Sequence, residues 1–359
     1  MSAETLESKL RYDVSRYPLL TADLPGVGGV IRREVDDFQV EEVPAYPFAG
    51  EGDHLYLRLE KRDMNTRYAI EYLRDKLGIP EAEIGWAGLK DRRAITSQWI
   101  SIPASAEPQL EAAMAELPDA RILETTRHTN RLAVGHLAGN RFRILIRDPE
   151  GTPEAAKAIL DKLTAYGVPN YFGPQRFGKF GDNAWRGQQL LTSGKFRKGR
   201  WLDKLLTSAL QSHLFNEWAK LRLERGLYHT VIDGDIAVKH ASGGKFQVGD
   251  GATEAPRAEA LEISATGPLF GRKYHEAQDA ARALEDEVLA AHGLDRAAFK
   301  PLGGDRRPLR FPLADLGFEV TPEGYWVSFF LPKGGFATAV LQEIMKTTNL
   351  AGEDEPGEG

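Results

Sequence analysis

The chain has 359 residues, of which 42% are hydrophobic and 27% charged, enough for a packed core and, by length, for about two domains. The absence of cysteine excludes disulfides, thiolate metal sites and a cysteine nucleophile; no two of the eight histidines stand three or four residues apart, and no apolar run reaches the roughly 18 residues of a membrane span. The net charge of −6 argues against indiscriminate polyanion binding, and the first ten residues lack the apolar centre of a secretory signal, so a cytoplasmic protein working without metal or organic cofactor is expected.

In chain order, residues 38–43 and 54–61 read as strands. Leu55, Leu57 and Leu59 alternate with Tyr56 and Arg58, the period of a half-buried strand. A helix is predicted from about Thr66, with Asn65 as N-cap, Gly78 just beyond its end and Pro80 blocking continuation. A short apolar segment at 84–87, a turn at 88–91 and a strand at 94–102 follow. In Arg141–Arg147, Phe142, Ile144 and Ile146 fall on one face, and Arg141, Arg143 and Arg147 on the other as a row of guanidinium groups. Thr152-Pro153-Glu154 starts a helix that ends at Gly167. Helical patterning resumes over 201–225, 275–292 and 337–349, and the last strand covers 325–331. The tail 351–359 reads as disordered, carrying four acids and no base.

Charge is unevenly placed. Residues 121–147 hold six Arg against Glu124, a balance of +5, and residues 176–204 hold eight bases against Asp182 and Asp203, a balance of +6. Basic stretches on an acidic chain are the footprint of a protein that holds nucleic acid on one face; two ordinary solvated faces look the same in sequence. Strands at both ends around a helix-rich middle suggest an α+β domain carrying an insertion, with crossing points near 167–174 and 301–312.

Cofactor signatures fail. Gly26-Val27-Gly28-Gly29-Val30-Ile31 lacks the third glycine of a dinucleotide fingerprint, and there is no P-loop, nucleophile elbow or zinc-protease motif. Three segments remain. Asp91 lies in a turn among Lys90, Arg92 and Arg93, cations that favour its carboxylate form and suit a nucleophile or electrostatic stabiliser; a surface turn aspartate fits the same pattern. Residues 168–178 interleave Tyr171, Phe172 and Phe177 with Asn170, Gln175 and Arg176, which suits stacking on bases and holding phosphate, or a plain aromatic loop. Gly139-Asn140-Arg141-Phe142 opens the arginine-faced strand, at a strand end where sites cluster.

Gly88-Leu89-Lys90-Asp91-Arg92-Arg93-Ala94-Ile95-Thr96-Ser97-Gln98 resembles the catalytic motif of the TruD family of tRNA pseudouridine synthases. Arg32 with Phe38-Gln39-Val40-Glu41-Glu42 is similar to its first block. Arg127-His128 through Gly139-Asn140-Arg141-Phe142, residues 167–178, Leu214-Phe215-Asn216, Asp233-Gly234-Asp235 and Gly335-Phe336-Ala337-Thr338 follow in family order. The resemblance implies an α+β fold: a pseudouridine synthase catalytic domain with a mixed or antiparallel sheet, over 1–166 and 314–350, interrupted by a family-specific α/β insertion at 167–313. It implies isomerisation of the uridine at tRNA position 13 by a monomer, with tRNA as partner and no membrane, metal or cofactor. It places the essential carboxylate on Asp91, its basic partner on Arg32 (Lys in some members) and the aromatic packed on the target base on Phe142. Phe38, Asn140, Phe336, Asn170, Gln175 and Arg176 fall in the substrate-binding set. Asn130 stands where the family pattern leads one to expect a base.

Three readings stay distinct on this evidence: an RNA isomerase that needs Asp91, an RNA-binding protein that does not, and an N-ribosyl hydrolase that releases free base.

Overall fold

In the computed structural model, which describes residues 5–197 and 199–347, the predicted alternating segments assemble into one large mixed sheet. A short helix α1 (Leu6–Leu10) is followed by turns, then β1 (Phe38–Pro44), β2 (His54–Arg62), α2 (Thr66–Leu77), β3 (Gly85–Trp86), β4 (Ile95–Pro103), α3 (Glu107–Ala115), β5 (Ala120–His128), β6 (Leu137–Arg147) and α4 (Pro153–Tyr166). The middle of the chain forms β7 (Val168–Pro169), α5 (Asn183–Thr192), α6 (Trp201–Glu224), β8 (Ile236–Lys239), β9 (Lys245–Gln247), α7 (Gly251–Glu259), β10 (Ile263–Leu269), α8 (Asp279–Ala291), β11 (Asp305–Pro308) and β12 (Arg310–Phe311). The chain then returns as β13 (Ala314–Thr321), β14 (Gly324–Pro332) and α9 (Ala337–Met345). The acidic stretch at 351–359 lies outside the described residues.

The large sheet has the order β13-β14-β6-β1-β4-β2-β5, with β3 beside β4. β1 and β4 pair in parallel, Val40 opposite Thr96, and the other ladders are antiparallel. All four helices of this unit that follow β1 lie on one face. Ile159, Leu163, Val340 and Ile344 of α4 and α9 meet Val40, Phe142, Ile144 and Phe329. Ile70, Leu73 and Leu110 of α2 and α3 meet Leu55, Leu57, Leu59, Ile100 and Ile102. The middle segment has its own core, built on α6, where Leu210, Leu214 and Trp218 face Ile263 and Ala265 of β10 and Leu284 and Val288 of α8. Its four-stranded sheet runs β11-β10-β8-β9. At the seam β7 pairs with β12, Val168 opposite Phe311. Leu10 also packs into the middle segment's core, and the Tyr12 ring stacks on Phe177 at 4.5 Å.

Several expectations match closely. Asn65 caps α2, its side chain accepting from the Arg67 N–H, and Gly78 closes the helix with φ +64°, a conformation glycine adopts freely. Others differ for physical reasons. β6 starts at Leu137, four residues before its alternation becomes visible, because ladders with β1 and β14 extend it. α3 buries only Leu110 and Ala113, too little apolar surface to print a helical period, and the edge strand β5 is largely exposed, so neither was foreseen. The helix predicted over 275–292 begins at Asp279, and the one over 337–349 ends at Met345, where Lys346 takes φ +55°. Among the described residues, no helix is long and apolar enough to cross a membrane.

Candidate active site

The turn that carries Asp91 connects β3 to β4 and is held from three sides. Lys90, buried, ion-pairs with the buried Glu42 of β1, whose Oε1 accepts from the Trp99 N–H at 3.2 Å. The Lys90 N–H donates to Thr66 Oγ1 (3.0 Å) at the first turn of α2. Thr66 in turn donates to Gln98 Oε1 (2.8 Å), and Gln98 Nε2 donates to the Gly88 carbonyl (3.1 Å). From β2, Lys61 reaches through the core to donate to the Asp91 carbonyl (2.9 Å) and to that of Met64. Buried charges persist when paired and hydrogen-bonded, and here that requirement fixes the backbone of the turn. The Asp91 side chain remains 36% exposed.

Arg32 provides the carboxylate's cation, with Nη2 3.3 Å from Asp91 Oδ1 and its own side chain only 8% exposed. Its guanidinium lies over the Phe38 ring, 4.0 Å from the centroid, a geometry that adds a cation–π contact. The Arg32 backbone has φ +58°, uncommon for a residue with a side chain. Phe38 meets Phe142 edge-on at 6.2 Å, and Phe142 lies 5.5 Å from Phe329. Strand register explains the row: Val40, Phe142 and Phe329 are directly opposed across β1, β6 and β14, and one rung further stand Glu42, Asn140 and Leu331. Asn140 Oδ1 is sealed from solvent and receives no hydrogen bond from the described residues.

The remaining expected residues gather at the seam of β7 and β12. Asn170 is buried, its Nδ2 donating to the Pro308 carbonyl (2.9 Å) and its Oδ1 accepting from Arg307. Gln175 and Arg176 sit in an exposed helical turn, with Arg176 Nε donating to Ser212 Oγ at 3.1 Å. Phe336, 41% exposed, precedes α9 and lies 5.7 Å from the Arg307 guanidinium. The nine expected residues therefore form two groups. One comprises Asp91, Arg32, Phe38, Phe142 and Asn140 on the helix-bearing face of the large sheet; the other comprises Asn170, Gln175, Arg176 and Phe336 at the seam.

The arginine row of β6 stands where its alternation predicts. Alternation puts Arg141 and Arg143 on the face opposite Phe142. There Arg141 pairs with Asp315 (3.4 Å), and Arg143 pairs with Glu319 (3.6 Å) and covers Trp326. Arg147 grips Asp37 with two nitrogens, the closest contact 2.6 Å. Each arginine of the row thus has a carboxylate neighbour. Asn130, in the place of an expected base, uses its carbonyl to accept from the Tyr56 hydroxyl at 2.9 Å.

Lys90, expected beside the Asp91 carboxylate, pairs with Glu42 instead, and Glu42, Lys61 and Arg307 were not foreseen as part of either group. A signal did exist for two of them: Glu42 continues the buried phase of Phe38 and Val40, and Lys61 that of Leu55, Leu57 and Leu59. A charge at a buried strand position is costly without partners, so it marks a polar interior site. Among the described residues, no three His, Cys, Asp or Glu side chains come together as a metal site requires.

The fold is a mixed sheet that carries, on one face, a carboxylate beside a buried guanidinium and a row of aromatic side chains. The family model described as tRNA pseudouridine synthase D (TruD) matches residues 16–198 and 199–344. A tRNA pseudouridine synthase D of Thermus thermophilus is 57% identical over 93% of this chain and 94% of its own length. One from an Anaeromyxobacter species is 42% identical over 92% and 96%. The crystal structure of a Methanosarcina mazei protein described as a tRNA pseudouridine synthase D shares the fold, with a TM-score of 0.71 at 24% identity, over 97% of this chain and 99% of that one. The chain belongs to the tRNA pseudouridine synthase D (TruD) family.

Proposed function

We propose that this chain isomerises uridine to pseudouridine in tRNA with Asp91 as the catalytic carboxylate, and that its target is the nucleotide at position 13. The observation that carries the assignment is the Arg32–Asp91 pair resting on Phe38, with Phe142 and Asn140 on the same face. The reaction breaks the N1–C1′ bond, turns the uracil and rejoins it through C5; the C5 proton is released and N1 gains one, so no oxidant or reductant is consumed. Cleavage builds positive charge on the sugar, which a carboxylate stabilises as in glycoside hydrolysis, by attack at C1′ or by removing the C2′ proton. Arg32 aims Asp91 with a planar fork. Phe142 holds the detached uracil by stacking, worth about 1–3 kcal/mol per base, while it rotates. The target must first leave its own stack, at a cost of a few kcal/mol.

Residues 167–313 act in this reading as an insertion that shapes the RNA-binding cleft; a separate core and the β7–β12 ladder across its two ends support that boundary. The enzyme works in the cytoplasm as a monomer. The test is chemical mapping of pseudouridine on unmodified tRNA transcripts treated with wild type or Asp91→Ala. A new pseudouridine at position 13 with wild type alone is expected. Equal modification by both proteins removes Asp91 from the mechanism, modification elsewhere removes the position, and free uracil in the product points to a hydrolase.

A further inference from the structure

We propose that Arg176 and Arg307 together bind one phosphodiester of the substrate RNA at the seam between the middle segment and the large sheet, with the Phe172 ring as their platform and Phe336 beside them. The inference rests on tRNA being the substrate. Arg307, on β11, has its guanidinium 4.0 Å from the centre of the Phe172 ring, 5.6 Å from that of Phe215 and 5.7 Å from that of Phe336. Arg176 approaches Phe172 too, at 5.4 Å. Two like charges thus share one aromatic ring, and neither is ion-paired with a carboxylate among the described residues. By contrast, the buried Arg222 and Arg306 each have a carboxylate, Asp235 (2.9 Å) and Glu285 (2.7 Å), while Arg310, which like Arg307 has only neutral acceptors, spends all three of its nitrogens on Ser264 Oγ and the carbonyls of Tyr166 and Ala258.

The arrangement is built rather than incidental. Arg307 is aimed by three acceptors, the Asn170 carbonyl (3.0 Å), Asn170 Oδ1 and the Gly334 carbonyl (3.3 Å). These use Nε and Nη2, and no described residue accepts from Nη1. Arg176 spends only Nε, on Ser212, which leaves both terminal nitrogens for a ligand. Burial, with Arg176 nearby as a second cation, pushes the Arg307 guanidinium down to about 9, the mark of a cation short of counter-charge. An anion between the two arginines relieves both the desolvation and the mutual repulsion. A phosphodiester suits the geometry because guanidinium forks match phosphate oxygens and the exposed Phe336 face next to the pair accepts a base. Asn170 then serves RNA binding as a positioning residue, through Arg307.

The experiment is equilibrium binding of an unmodified tRNA transcript across a KCl series, for wild type, Arg176→Gln and Arg307→Lys, with thermal melting to check folding. Arg176→Gln is expected to weaken binding about tenfold and to lower the slope of log affinity against log salt by about one, the signature of one lost phosphate contact. Arg307→Lys keeps the charge and loses the fork, so its affinity falls while its salt slope holds. A folded Arg176→Gln protein with wild-type affinity and slope overturns the proposal, and this variant suffices if Arg307→Lys does not fold. Failure of wild type itself to bind tRNA overturns the proposed function instead. In a second arm, potassium phosphate is compared with KCl at equal ionic strength as a competitor of tRNA. No excess competition by phosphate is expected. Specific competition by phosphate that vanishes in Arg176→Gln while its tRNA affinity stays intact assigns the site to free phosphate and overturns the RNA reading.

Discussion

Lys61 shows how much of this site depends on residues that never meet the substrate. Its ammonium sits in the core between two carbonyl oxygens, those of Met64 and Asp91, and so ties β2 to the turn before β4. Lys61→Met keeps most of the volume and removes the donor, leaving buried carbonyls unsatisfied at about 1–3 kcal/mol. The expected outcome is a lower urea midpoint by that amount, together with a fall in the single-turnover rate of pseudouridine formation because Asp91 is less well aimed. A variant that loses stability but keeps its rate limits Lys61 to the fold. Asp91 was legible in the sequence from its motif and its flanking cations. Lys61 and Glu42 were legible only as charges in a buried strand phase, and their partners lie up to 57 residues away along the chain. Arg307 gave no signal at all, because its distinctive property is the lack of a carboxylate, and that is a property of surroundings.

Among the elements, α5 and α6 depend on one close approach. A Cβ on Gly187 would lie 2.2 Å from the Leu206 carbonyl oxygen, a backbone atom that cannot swing aside. Gly187→Ala therefore forces the two helices apart, and a loss of about 1–3 kcal/mol is expected, the range for overpacking a tight contact. A melting curve of the variant measures it; an unchanged midpoint means the helices separate freely. Elements with strong local signals, β1, β2, α2 and α4, emerged from periodicity and capping with ends within about two residues. Weakly patterned ones did not. The short strands β8, β9, β11 and β12 owe their form to pairing partners: β12 is two residues long and exists because β7 lies beside it.

For the whole molecule, the middle segment carries histidines that the fold keeps neutral. Burial, and then the neighbouring Arg310, lowers His240 to about 4; burial, then His292, holds His213 well below the ordinary histidine range. An unfolded chain takes up protons on both near pH 6.5, so the folded state loses stability as pH falls from about 6.5 toward 4. Allowing for the partial exposure of His240, its share is about 2 kcal/mol. His240→Gln, which retains a hydrogen-bonding group facing Ser264, is expected to flatten the fall in melting temperature between pH 6.5 and 4.5. An equally steep fall in the variant assigns the acid sensitivity to other groups. Ser264 also accepts from Arg310, which binds the Tyr166 carbonyl at the end of α4, so this acid sensitivity reaches the seam.

The amino-acid sequence by itself determined the α+β class, the strands and helices with regular periods, and the place of Asp91, since propensity, caps and motifs are local and act over a few residues. Its resemblance to the family's motifs also pointed to Arg32, Phe38, Asn140 and Phe142. Tertiary structure decided which of these meet. Strand register brought Phe142 beside Phe38 and Asn140 beside Glu42, and the parity of β6 turned its arginines to the opposite face, where carboxylates from β1 and β13 hold them. Only the assembled fold could place Arg307, more than 130 residues beyond Arg176 in the chain, against the same phenyl ring. Charge compensation is settled by through-space neighbours, and burial, which sets its worth, exists only once the chain is packed.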